Sequence, residues 1–96
     1  MATLLRVNGT RENIPGPLSL EQMQAAVGGY IEMVRLGGTD ARMHVLFVNE
    51  DGHALGLVPN AQATALLRTV RPGGLIVGNA LECVVLNAGT DDERTE

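Results

Sequence analysis

Glu32, Glu50 and Asp51 are the carboxylates that could form an acid–base pair, provided a strand carrying Glu32 lies beside a turn carrying the other two. A solvated turn accounts for Glu50 and Asp51 without any chemistry. Ser19 lacks the strained elbow and partner histidine of a nucleophilic serine, and its place before an apolar helical run makes it a helix N-cap. His44, His53 and Cys83 stand at no recognised zinc-ligand spacing. Gly73-Gly74-Leu75-Ile76-Val77-Gly78 has the glycine spacing that opens a phosphate loop, but Asn79-Ala80 follows where a Lys and a Ser or Thr are required. Those glycines read as a bend. Asn60 precedes a second helical run, where its side chain caps the helix and the backbone N–H groups are also suited to an anionic group. No residue reads as an activated nucleophile.

The elements that position these groups follow from local patterning. Thr3 to Val7 reads as a strand, Asn8-Gly9 as a tight turn and Thr10 to Ile14 as the returning strand, before Pro15-Gly16-Pro17 breaks the pattern. Ser19 with Gln22 forms a capping box and Leu18 with Met23 a hydrophobic staple, so a helix starts at Leu20. Leu20, Met23, Ala26 and Val27 make its apolar stripe, and Gly28 stops it. Tyr30 to Leu36 reads as a strand with Glu32 and Val34 on one face and Ile31, Met33 and Arg35 on the other. Arg42 to Val48 is apolar on both faces, as in a central strand covered on each side. Asn49-Glu50-Asp51-Gly52 reads as a turn returning the chain as an antiparallel strand over His53 to Leu57. Asn60 opens the second helix, with Ala63, Leu66, Leu67 and Val70 on its buried side, and Arg71-Pro72-Gly73-Gly74 ends it. Leu75 to Val77 and Ala80 to Leu86 form a last strand pair or one bulged strand, irregular at Gly78-Asn79. The expected fold is a single small α+β domain over residues 1–87, a mostly antiparallel sheet with two short helices in the order ββαβββαβ. An acidic disordered tail over 88–96 follows.

Composition narrows the partners. The chain has 96 residues, 45% of them hydrophobic and 19% charged, which suits one folded domain. Tyr30 and Phe47 are the only aromatic residues, so stacking of bases in single-stranded nucleic acid lacks its main tool. Net charge is −4, and residues 91–96 carry four acids and one Arg, which leaves the remainder at −1. That balance offers no broad surface for duplex DNA, and no nucleic acid polymer is expected as a partner. All seven basic residues are Arg, whose planar fork keeps a local anion site open. A lone Cys83 in an apolar strand pattern fits the cytoplasm, and no stretch is apolar enough for a membrane span. No metal and no cofactor is expected.

Four stretches occur together and in order: Val27-Gly28-Gly29-Tyr30-Ile31-Glu32, Phe47-Val48-Asn49-Glu50-Asp51-Gly52, Gly56-Leu57-Val58-Pro59-Asn60 and Ile76-Val77-Gly78-Asn79-Ala80. The set resembles the family catalogued as domain of unknown function 3846, over about residues 3 to 86. The resemblance implies a small protein of bacteriophages, plasmids and other mobile elements, acting in the host cytoplasm, with no established reaction. The Gly37-to-Arg42 connection and the Arg-only basic complement look individual to this chain, so no function carries through them. The candidate ligand-binding residues are Gly28, Gly29, Tyr30, Glu32, Asn49, Glu50 and Asn60, and no catalytic residue is assigned. The expected function is that of a non-enzymatic accessory protein, a homo-oligomer that binds a small nucleotide-like ligand and sequesters a host immune signal. The alternative is a protein-interaction module that inhibits or regulates a host complex.

Overall fold

The computed structural model describes residues 1–86. The elements are β1 (Ala2–Leu5), β2 (Arg11–Ile14), α1 (Leu20–Val27), β3 (Ile31–Gly38), β4 (Arg42–Asn49), α2 (Ala61–Arg68) and β5 (Ala80–Leu86). The five strands form one antiparallel sheet in the order β2-β1-β5-β4-β3. The C-terminal strand thus lies between two hairpins, β1–β2 and β3–β4, and is the ladder that joins them. This is the α+β architecture expected from patterning. The expected tail over 88–96 lies outside the described residues.

Each helix covers one face of the sheet, because residues of opposite parity on the same strands pack on opposite sides. Leu5, Leu46, Val48 and Ala80 pack with Ala63 and Leu67 of α2. Their sequence neighbours Leu4, Phe47 and Leu81 pack with Met23 and Ala26 of α1. Leu81 is opposite Leu4 on β1 and Phe47 on β4, so one fully buried side chain links both hairpins. β4 is covered on both faces over Leu46–Val48, where its apolar pattern is two-sided, while His44 and Arg42 lie beyond α2.

Local signals placed α1 well. Ser19 Oγ accepts the Gln22 N–H at 3.1 Å and Gln22 Oε1 accepts the Ser19 N–H at 2.8 Å, completing the capping box. Gly28 ends the helix at φ 81°, a left-handed conformation that side-chain-bearing residues adopt at a cost. α2 has Asn60 as its N-cap and ends at Arg68, so Val70 falls past its end and is exposed.

The expected strand over His53–Leu57 does not form. Asn49 Oδ1 accepts the Asp51 N–H at 2.8 Å, and the following amides bond locally, Leu55 N–H to Asp51 O and Leu57 N–H to Gly52 O. His-Ala-Leu-Gly contains no β-branched residue, and all four are exposed, so nothing draws the segment into the ladder. Leu75–Val77 likewise makes a single bridge, Pro59 to Val77, in place of a strand. There Thr64 Oγ1, buried on α2, accepts the Ile76 N–H at 2.9 Å and occupies the ladder's partner. A bulge between Arg35 and Gly37 carries β3 on to Gly38.

Leu81→Ala should lower unfolding free energy by about 2–5 kcal/mol, whereas Leu20→Ala, at a side chain 55% exposed on α1, should shift it by about 0.5 kcal/mol or less. Urea denaturation of the two variants checks the contrast.

Candidate functional site

Six of the seven candidate residues sit at one corner, where α1 gives way to β3 beside the end of β4. Gln24 O accepts both the Gly28 N–H at 2.8 Å and the Gly29 N–H at 3.0 Å, and Glu50 N–H donates to Tyr30 O at 2.8 Å. Asn49 lies opposite Ile31 in the ladder and is only 6% exposed. Its Nδ2 donates to Val27 O at 3.1 Å, while its Oδ1 holds the Asp51 amide. A Cβ on Gly29 would stand 2.8 Å from that Nδ2, so glycine here makes room for the asparagine. Tyr30 is 69% exposed, and Glu32 and Glu50 are exposed as well. No hydrogen bond joins the side chains of Glu32, Glu50 and Asp51 among the described residues.

Asn60 is elsewhere. Its side chain is fully buried, with Nδ2 donating to Leu5 O and to Gly78 O at 2.9 Å each and Oδ1 accepting the Ala63 N–H at 3.1 Å. Both of its amide hydrogens are used within the fold. Asn60 is therefore a structural joint in this chain, and Asn49 is largely one as well.

Beside the corner lies a groove of about 320 Å³. Ala25 and Val27 of α1 and its cap Gly28 line one wall, Leu57 and Val58 the other, and Asn79 closes one end. Asn79 Oδ1 accepts the Val7 N–H at 3.1 Å, and its NH₂ group has no protein partner among the described residues. Patterning treated Asn79 as a mere irregularity. Its place in one of the four motif stretches was the available signal. Three of those stretches contribute to this groove, through Val27-Gly28, Leu57-Val58 and Gly78-Asn79.

A larger cavity, about 430 Å³, opens on the α2 side of the sheet, bordered by Thr3, Arg42, His44, Glu82 and Val84. His44 Nε2 lies 2.8 Å from Glu82 Oε2 on the neighbouring strand. Of the arginines, Arg6 pairs with Glu12, Arg35 with Asp40, Arg11 with Gln62 and Arg68 with Gly74 O. The Arg42 and Arg71 guanidinium groups have no such partner among the described residues. Burial pushes the Cys83 thiol up, the N-terminal ammonium opposing this and Glu82 adding to it, so the sulfur stays protonated and weakly nucleophilic. No group of three or more His, Cys, Asp and Glu side chains among the described residues is placed to hold a metal ion. No helix among them is long and apolar enough to cross a membrane.

Comparison with known families matches residues 3–95 to the domain of unknown function 3846 family. The chain belongs to that family. The match runs past the stretch in which the sequence motifs lie and takes in most of the C-terminal tail. No curated protein and no solved structure matched the chain. The family's description assigns no activity.

Asn60→Ala should cost about 2–4 kcal/mol, combining a lost helix cap with two buried carbonyls left without donors. Asn60→Asp should cost at least as much, since it keeps the cap but turns a carboxylate oxygen toward Leu5 O and Gly78 O. Thermal denaturation reads both. A stable Asn60→Asp protein would remove Asn60 from the structural frame.

Proposed function

We propose that this chain binds a small molecule in the groove beside Gly28 and releases it unchanged. The observation that carries the reading is the convergence of three distant motif stretches on one concave, mostly apolar surface, with an unpartnered amide at its end. The groove lining is Ala, Val, Leu and Gly with a single Asn, and no arginine borders it. A phosphate-bearing signal therefore finds no cation there. The ligand that fits is largely apolar and uncharged, with one acceptor for the Asn79 NH₂. The binding role, in place of a catalytic one, is supported by the occupation of the reactive groups: Ser19 caps a helix and Cys83 is held protonated. A mobile-element setting and sequestration of a host signal fit this reading, as does a homo-oligomer that deepens the groove between copies.

A second reading is favoured by β3. Its outer edge has no neighbouring strand among the described residues, and Met33 and the preceding Tyr30 are exposed along it. Such an edge suits strand addition by a host protein.

Ala25 is exposed on α1, so Ala25→Leu fills the groove with little effect on stability, within about 0.5 kcal/mol. Native mass spectrometry of protein purified from cells should show a retained small molecule in the wild type and none in Ala25→Leu. Bare polypeptide in both, with no heat from a panel of uncharged apolar metabolites, would end this reading.

A further inference from the structure

α2 is too short for the sheet face it covers. An eight-residue helix is about 12 Å long, whereas the eight-residue β4 runs about 27 Å. The helix packs on Leu5, Ala80, Leu46 and Val48, and the other end of the same face is left open. Strand parity and register bring a specific set of side chains there. Thr3 is opposite Glu82, His44 opposite Val84, and Arg42 opposite Leu86. Gly37 follows His44 on the outer side, so no side chain closes the site next to the imidazole.

The spare bonding capacity of these groups is polarised. Glu82 uses Oε2 on His44, while Oε1 has no partner among the described residues and remains an acceptor. The Glu82 side chain is 24% exposed and the His44 side chain 39%, so both are sheltered yet reachable. Arg42 offers a guanidinium without a protein partner among the described residues, and Val84 supplies an exposed apolar floor between the two ends. One end of the cavity accepts N–H groups and the other end attracts an anion. Glu82 pairs with Leu46 and Leu86 with Arg42, so the charged residues stand four ladder steps apart, about 14 Å along the strands. Side chains on a strand stand roughly perpendicular to the sheet, so a ligand that meets both groups carries its N–H donors and its anionic group well apart. A nucleoside monophosphate carries its base edge and its phosphate at opposite ends of a ribose.

We infer that the uncovered end of the sheet is a second binding site, for a purine nucleoside monophosphate, with Glu82 taking base N–H groups and Arg42 the phosphate. His44 holds the Glu82 carboxylate in place and lines the site beside Val84. Guanine fits the acceptor end, since it offers adjacent N–H donors on one edge, and a carboxylate can accept both. This site shares no lining residue with the groove beside Gly28, and it stands or falls apart from the ligand held there.

Guanosine 5′-monophosphate is the probe, titrated into the full chain and followed by calorimetry and by backbone amide shifts. Saturable binding is expected, with shifts concentrated at His44, Glu82 and Val84. Arg42→Gln and Glu82→Gln should each weaken it by about tenfold or more, as loss of a charge-assisted hydrogen bond requires. Inorganic phosphate and guanosine, each occupying one end, should bind at least as weakly as those variants bind the nucleotide. Ala25→Leu should leave the titration unchanged. Absence of shifts at the sheet, or equal affinity in the wild type and Arg42→Gln, would overturn the proposal. Shifts confined to Ala25–Gly28 and Asn79 would overturn it too, while leaving the groove reading intact.

Discussion

The side chain of Asn60 is the constraint on which the arrangement depends. One buried amide caps α2, holds the carbonyl that ends β1 and holds the Gly78 carbonyl just before β5 begins. Its backbone N–H also donates to Ile76 O at 2.8 Å. Those are three regions distant in sequence, and a buried amide leaves no room for slippage, because any shift would strand polar groups away from water. Asn60 thereby fixes where α2 sits on the sheet. It also fixes how much of the sheet α2 leaves bare.

Sheet order makes this joint more consequential. β5 follows the other described strands in sequence yet lies between β1 and β4, so neither hairpin gains its neighbour until β5 joins. Such pairing closes long loops and relies on interactions of high sequence separation. The bonds from Asn60 to Leu5 O and Gly78 O bring the end of β1 and the start of β5 together, where Leu5 and Ala80 are paired in the ladder. Leu81, one residue later, then seals the opposite face. Two adjacent positions on β5 therefore serve the two separate layers of the core.

What could be read in the sequence was what neighbouring residues decide. The Ser19–Gln22 box, the Gly28 stop and the Asn60 cap act over a few residues, and α1 and α2 begin where those signals put them. The strand expected over His53–Leu57 failed because the asparagine before the turn bonded the Asp51 amide and started a local coil, an outcome that Asp-Gly alone does not reveal. The corner around Tyr30 joins two stretches that the sequence left separate, since β3 and β4 meet only through their ladder. Asn60 was legible as the cap of α2 but not as a buried joint, because its two carbonyl partners lie 55 and 18 residues away. Glu82 was passed over because the imidazole it holds is 38 residues distant.

The motif stretches also bear on where binding chemistry can reside in so small a chain. Gly29 makes room for Asn49, Asn49 ties Val27 to Asp51, and Asn60 ties Leu5 to Gly78, so much of the motif set is committed to joining elements. A group whose hydrogen bonds are all satisfied inside the fold has none to offer a ligand without unfolding its own surroundings. Capacity is left where a side chain is bonded on one side only. Asn79 meets that description at the groove, with its carbonyl oxygen on Val7 and its NH₂ open, and Glu82 meets it at the sheet, with one oxygen on His44 and one open. Each is held in orientation by the bond it makes, and so presents its remaining atoms at a fixed position. The same geometry that builds the scaffold thus pre-orients the two side chains that still have something to bind.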